Sequence, residues 1–117
     1  MILKEGATDY RIRAAVDYAD GTQISQQELE DATSLEIEYV WDSFEDEATT
    51  KATWTATGYG IFTEGPKTGK PYIYYQATSG DAVPVGSSKL LGQAKIVDED
   101  SLVSYGTTFS INVQPSV

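Results

Sequence analysis

Chemistry in this chain has to come from oxygen-bearing and aromatic side chains, because it contains neither histidine nor cysteine. That removes the usual general base, the usual zinc ligand, the physiological pH switch, thiolate metal sites and disulfides together. The densest oxygen donors are two acidic triplets, Glu45-Asp46-Glu47 and Asp98-Glu99-Asp100. Brought to one end of a fold they would offer hard ligands to calcium, but neither follows the EF-hand spacing, and solvated turns are the better reading. A carboxylate pair would also suit glycoside hydrolysis, which needs a defined separation across a cleft. With eighteen acidic residues some pair always qualifies, so no catalytic residue, metal site or cofactor is assigned.

The more informative group is aromatic. In Tyr72-Ile73-Tyr74-Tyr75 a strand would aim Tyr72 and Tyr74 at the face opposite Ile73 and Tyr75. With Tyr59 and Phe62 they form a candidate interface, serving either a protein contact or a sugar platform, since tyrosine joins a large apolar area to a polar tip. The alternative is packing, in a strand covered on both sides. Trp41 and Trp54 fall in the inward phase of their strands and are expected in the core. Arg11 and Arg13 share one face, as do Glu36 and Glu38. Were their strands neighbours, the charges would pair, each exposed pair contributing about 0.5 kcal/mol.

These side chains need strands to hold them. Leu35, Ile37, Tyr39 and Trp41 alternate with Glu36, Glu38, Val40 and Asp42, the cleanest half-buried strand in the sequence. Upstream, Tyr10, Ile12, Ala14, Val16 and Tyr18 alternate with Asp9, Arg11, Arg13, Ala15 and Asp17, predicting a first strand of roughly ten residues closed by an Asp20-Gly21 turn. Ser25 and Glu28 form a capping box, with Ile24 and Leu29 spaced as a hydrophobic staple, predicting a short helix over 26–31 that either plugs one end of a β-structure with Leu29 or lies as a surface turn. Ala52, Trp54 and Ala56 mark another strand; Gly58-Tyr59-Gly60 reads as a tight turn, and 65–71 as an exposed hairpin loop. Strands over 72–78, 88–97 and 107–113 follow, with 102–105 as a further pairing segment. The pattern predicts an all-β antiparallel sandwich of about seven strands and one short helix, with an arm at 1–7, the sandwich at 8–113 and a tail at 114–117.

A chain of 117 residues suits one domain with its own apolar core. Its net charge of −10 opposes the phosphate neutralisation on which nucleic-acid binding runs, and disfavours anionic membranes. No apolar run is long enough for a transmembrane span or a secretory signal, so a soluble product made in the cytoplasm is expected.

Several short motifs resemble one family. Leu29-Glu30-Asp31-Ala32-Thr33 opens the strand at Leu35; Gly69-Lys70-Pro71-Tyr72 leads the aromatic strand; Asp81-Ala82-Val83-Pro84-Val85-Gly86 crosses to Gly92-Gln93-Ala94-Lys95-Ile96; and Phe109-Ser110-Ile111-Asn112-Val113 closes the chain. Over about residues 8–113 this is similar to the immunoglobulin-like β-sandwich domain of tailed-bacteriophage structural proteins, as at the N-terminus of upper baseplate proteins. The insert Ser25-Gln26-Gln27-Glu28 departs from the family, where a simple turn is usual, and no second domain is expected to follow. The resemblance implies a non-enzymatic structural or adaptor protein of a virion, in tail, baseplate or head decoration. It further implies docking on other virion proteins in several copies or as a homo-oligomer, and carries no catalytic residue. A carbohydrate-binding module using the surface tyrosines is the alternative.

Overall fold

Alternating apolar and acidic side chains from Leu35 onward build the longest strand but one. It runs Ser34–Ser43 in the computed structural model, which describes residues 1–16, 24–44 and 51–115. In chain order the elements are β1 (Ile2–Lys4), β2 (Arg11–Ala15), α1 (Gln26–Asp31), β3 (Ser34–Ser43), β4 (Ala52–Thr55), β5 (Gly58–Ile61), β6 (Pro71–Gln76), β7 (Ser87–Val97), β8 (Val103–Tyr105) and β9 (Phe109–Gln114). The larger sheet is ordered β1-β9-β7-β3-β4, with β8 also paired to β7; the smaller is β2-β6-β5. The all-β expectation holds: two mostly antiparallel sheets form a sandwich carrying one short helix. Among the described residues there are nine strands rather than about seven. Of the two three-residue strands, β8 falls within the pairing segment expected over 102–105, whereas β1 falls in the expected arm and is too short for a period of two to announce it.

Strand periodicity explains the core. Ile12, Ala14 and Ile73 of the smaller sheet meet Ile37, Trp54, Leu90, Ala94 and Ile96 of the larger, all buried. The helix starts where its capping box demands: Glu28 N–H donates to Ser25 Oγ at 3.1 Å, and Ser25 N–H donates to Glu28 Oε1 at 3.3 Å. Ile24 and Leu29, at the staple positions, are both buried members of the core. No helix among the described residues is long and apolar enough to cross a membrane.

Several local expectations are corrected. Gly58-Tyr59-Gly60 is not a turn but the body of β5, paired antiparallel with β6. The first strand covers five residues, Arg11–Ala15; Asp17, Tyr18 and the Asp20-Gly21 turn lie outside the described residues, as does Glu45-Asp46-Glu47. Residues 1–7, read as an arm, contribute β1, whose Ile2, Leu3 and Lys4 run parallel to Asn112, Val113 and Gln114; Gln114, read as tail, belongs to β9. The condition for pairing Arg11 and Arg13 with Glu36 and Glu38 fails, because β2 and β3 lie in different sheets. Glu38 instead meets Lys51 at 3.1 Å and Asp42 meets Lys89 at 3.5 Å.

Candidate functional site

The outward face of the smaller sheet gathers aromatic and cationic side chains into one ladder. Tyr72 sits in register between Ala15 and Gly60, and Tyr74 between Arg13 and Gly58. Both glycines are there because the rings need their space. A Cβ on Gly58 would stand 2.9 Å from the Tyr74 hydroxyl and 3.0 Å from its ring, and one on Gly60 would stand 2.8 Å from the Tyr72 hydroxyl. The rings therefore cover bare glycine backbone, which an isolated glycine pair in a strand otherwise leaves unpacked. This is also why a Gly-Tyr-Gly sequence, which looks like a turn, extends as a strand.

From the other flank, arginines reach diagonally onto the same rings. The Arg11 guanidinium lies 4.5 Å from the Tyr74 centroid and that of Arg13 lies 5.1 Å from the Tyr72 centroid. Both distances permit cation–π attraction, worth about 0.5–1 kcal/mol at an exposed site. Arg11 Nε also donates to Gln76 Oε1 at 3.3 Å, which fixes the guanidinium over its ring. Phe62 extends the row, 4.6 Å from Tyr72 and tilted by 47°, while Tyr72 and Tyr74 are 6.2 Å apart and tilted by 55°.

Of the four aromatic residues singled out by sequence, the structure brings Phe62, Tyr72 and Tyr74 together and separates Tyr59. Tyr59 is in register with Ile73 on the opposite face and packs against the core. Desolvation, then a hydrogen bond and the charge of Glu30, raise its hydroxyl above the ordinary range. Arg11 and Arg13 were missed as members of the face. The available signal was two arginines spaced i, i+2 in one strand and two tyrosines spaced i, i+2 in another, a pattern that fits only if the strands pair.

Beside this face, at the β2 flank, a cleft of about 440 Å³ is lined by Met1, Arg11, Arg13, Phe62, Lys67, Phe109, Ser110 and Ile111. A second concavity, on the outer face of the larger sheet, holds Val40 and Leu91 beside the Glu38–Lys51 pair, with Gln93 Nε2 donating to Glu38 Oε1 at 3.1 Å. At the acidic turn, Asp98 Oδ1 accepts the backbone N–H groups of Asp100 and Leu102, each at 2.9 Å, so this carboxylate shapes the turn.

On the inner face of the same β6 strand lies a second aromatic group. The Trp54 ring is sandwiched between Tyr39, 3.6 Å away and tilted by 16°, and Tyr75, 4.9 Å away and tilted by 5°; Tyr10 and Trp41 abut it at an angle. Asp81, in the β6–β7 crossover, ties the group down. Its Oδ2 accepts from the Tyr75 hydroxyl at 2.6 Å and from the Thr78 N–H and hydroxyl at 2.9 Å each, while its backbone carbonyl accepts from the Tyr10 hydroxyl. The Tyr75 hydrogen bond leads the influences that hold the Asp81 carboxyl below its ordinary value, desolvation opposing it and the Thr78 groups adding to it. The Trp54 indole N–H, buried and without a hydrogen bond of standard geometry, lies near enough to Asp81 to add a little. Burial, then the charge of Asp81, pushes the hydroxyls of Tyr10 and Tyr39 upward.

The chain matches no family model, no curated protein and no solved structure. The fold and this face define a small two-sheet β-sandwich domain with an arginine–tyrosine ladder on its smaller sheet.

Proposed function

We propose that this chain is a non-enzymatic docking module, an immunoglobulin-like sandwich serving as a structural or adaptor protein of a tailed-phage particle. The observation that carries the docking reading is the ladder of Phe62, Tyr72 and Tyr74 under Arg11 and Arg13. Tyrosine and arginine dominate the energetics of protein interfaces, and here they are held in place before any partner arrives, so less side-chain entropy is lost on binding. The immunoglobulin-like reading is supported by strand order. Three sequence-ordered strands in the order β2-β6-β5 face β9-β7-β3-β4, which corresponds to B-E-D opposite G-F-C-C′ in variable-type domains. The virion setting rests on the motif resemblance, and there several symmetry-related copies would multiply a modest affinity per copy.

The carbohydrate reading is weaker because the tilt of 55° between Tyr72 and Tyr74 offers a sugar ring no shared flat surface. Light scattering across a concentration series tests the proposal, with the protein alone and then mixed with purified head, tail and baseplate proteins. A stoichiometric complex lost in Tyr74→Ala is expected. A strict monomer that ignores every such protein, combined with a positive glycan screen, would overturn it in favour of the sugar module.

A further inference from the structure

We infer that the free edge of β2 is a strand-acceptor site, which takes an extended segment of another polypeptide with alternating apolar and acidic residues. The inference rests on the docking reading above and names how one partner would be held. Strand β2 ends the order of the smaller sheet, and among the described residues no strand lies on its far side; Gly106 packs against the outward carbonyl of Ala15, so the open part of the edge is that of Arg11 and Arg13. The bonds from Ala77 N–H to the Tyr10 carbonyl and from Val16 N–H to the Pro71 carbonyl bracket its ladder with β6. In an antiparallel pair these bonds recur at alternate residues, so Ile12 and Ala14 face β6 while the main-chain groups of Arg11 and Arg13 point outward. An exposed row of this kind is a template for one more strand.

The neighbourhood specifies that strand. The three-stranded sheet lies across a wider one, with β2 over β7 and β6 over β3. Strand β9 is therefore incompletely covered, and Phe109 and Ile111 stay half-exposed on its inner face beside the cleft of about 440 Å³. A strand added to β2 would send alternate side chains onto Phe109 and Ile111 and complete the core there. Its remaining side chains would emerge on the outer face beside Arg11 and Arg13. Three of the chain's eight basic residues, Arg11, Arg13 and Lys67, line this cleft and no acidic residue among the described ones does, against a net charge of −10 for the whole chain. Charge complementarity therefore selects acidic residues at the outward positions.

The test uses the full chain and a fluorescein-labelled octapeptide of alternating valine and glutamate, read by fluorescence anisotropy and by hydrogen exchange. Saturable binding is expected, weakened by added salt, with new protection of the Arg11 and Arg13 amides. An alternating valine–lysine octapeptide is expected to bind at least tenfold more weakly. Arg13→Pro removes an outward N–H without touching the β6 ladder, a placement that edge strands tolerate. It should weaken binding about tenfold beyond Arg13→Ala, which removes only the side chain. Absence of saturable binding, equal losses in the two variants, or unprotected Arg11 and Arg13 amides in the bound wild type would overturn the inference. A virion-protein complex lost in Tyr74→Ala but indifferent to Arg13→Pro would likewise remove strand addition while leaving the docking face standing.

Discussion

One strand, β6, builds two aromatic clusters of opposite character. Inward, Tyr75 joins Tyr39 and Trp54 in a stack that the Tyr75 hydroxyl anchors on Asp81. Outward, Tyr72 and Tyr74 lie over glycines and beneath arginines. The residue type is the same and the positions are adjacent, so the difference comes from strand phase and from what the neighbouring strand presents. Inside, rings are held by other rings and a carboxylate, and removing one leaves a void. Outside, they are held by the absence of side chains on β5 and by cations from β2, an arrangement that orders them while leaving part of each ring to solvent.

The largest effect should follow from the inner cluster. Trp54→Ala removes the central ring of the stack and should cost about 3–5 kcal/mol in urea unfolding. Second is Asp81→Ala, which strips the acceptor from the Tyr75 hydroxyl and the Thr78 N–H and should cost about 1–3 kcal/mol. Asp81→Asn keeps much of the geometry and isolates the charge. Because the folded carboxyl titrates below its ordinary value of 3.8, its contribution is complete above that pH and is lost as the pH falls through the lower, folded value. Wild-type stability should thus decline below about pH 4, and the decline should be shallower in Asp81→Asn. Glu38 retains a share of the slope, since hydrogen bonds from Lys51 and Gln93 outweigh desolvation and lower its pKa too. Superimposable pH profiles would remove Asp81 from the account.

Smaller effects should mark the outer cluster. Gly58→Ala places a Cβ against Tyr74 and should cost about 1 kcal/mol or less in stability, because the ring can swing outward. The same substitution should nonetheless weaken docking, a split between folding and binding that a core position would not give. Smallest of all, Lys51→Ala should change stability by about 0–1 kcal/mol, since the Lys51 partner of Glu38 is largely exposed.

Much of this was legible in the sequence where a local signal coincided with the final packing. The Ser25–Glu28 box sets the start of α1, and the alternation from Leu35 sets β3, because each is encoded within a few residues. Trp54 is buried as its phase demanded. What escaped was decided by pairing at long range. Gly58-Tyr59-Gly60 carries the composition of a turn, and only the rings of Tyr72 and Tyr74 arriving from β6 make it a strand. Arg11 and Arg13 have the charge to suit Glu36 and Glu38, and only the assignment of β2 and β3 to separate sheets sends them to tyrosines instead. The parallel pairing of β1 with β9 joins the two ends of the described chain and leaves no local trace.

The central claim, that the inner aromatic group holds the fold while the outer one is free to serve contact, is tested most directly by urea unfolding of Tyr72→Ala/Tyr74→Ala beside Trp54→Ala. A loss of about 2 kcal/mol or less in the double variant, under half that of Trp54→Ala, is the predicted result. A double variant as unstable as Trp54→Ala would mean that the arginine–tyrosine ladder holds the sandwich together, and would contradict the claim.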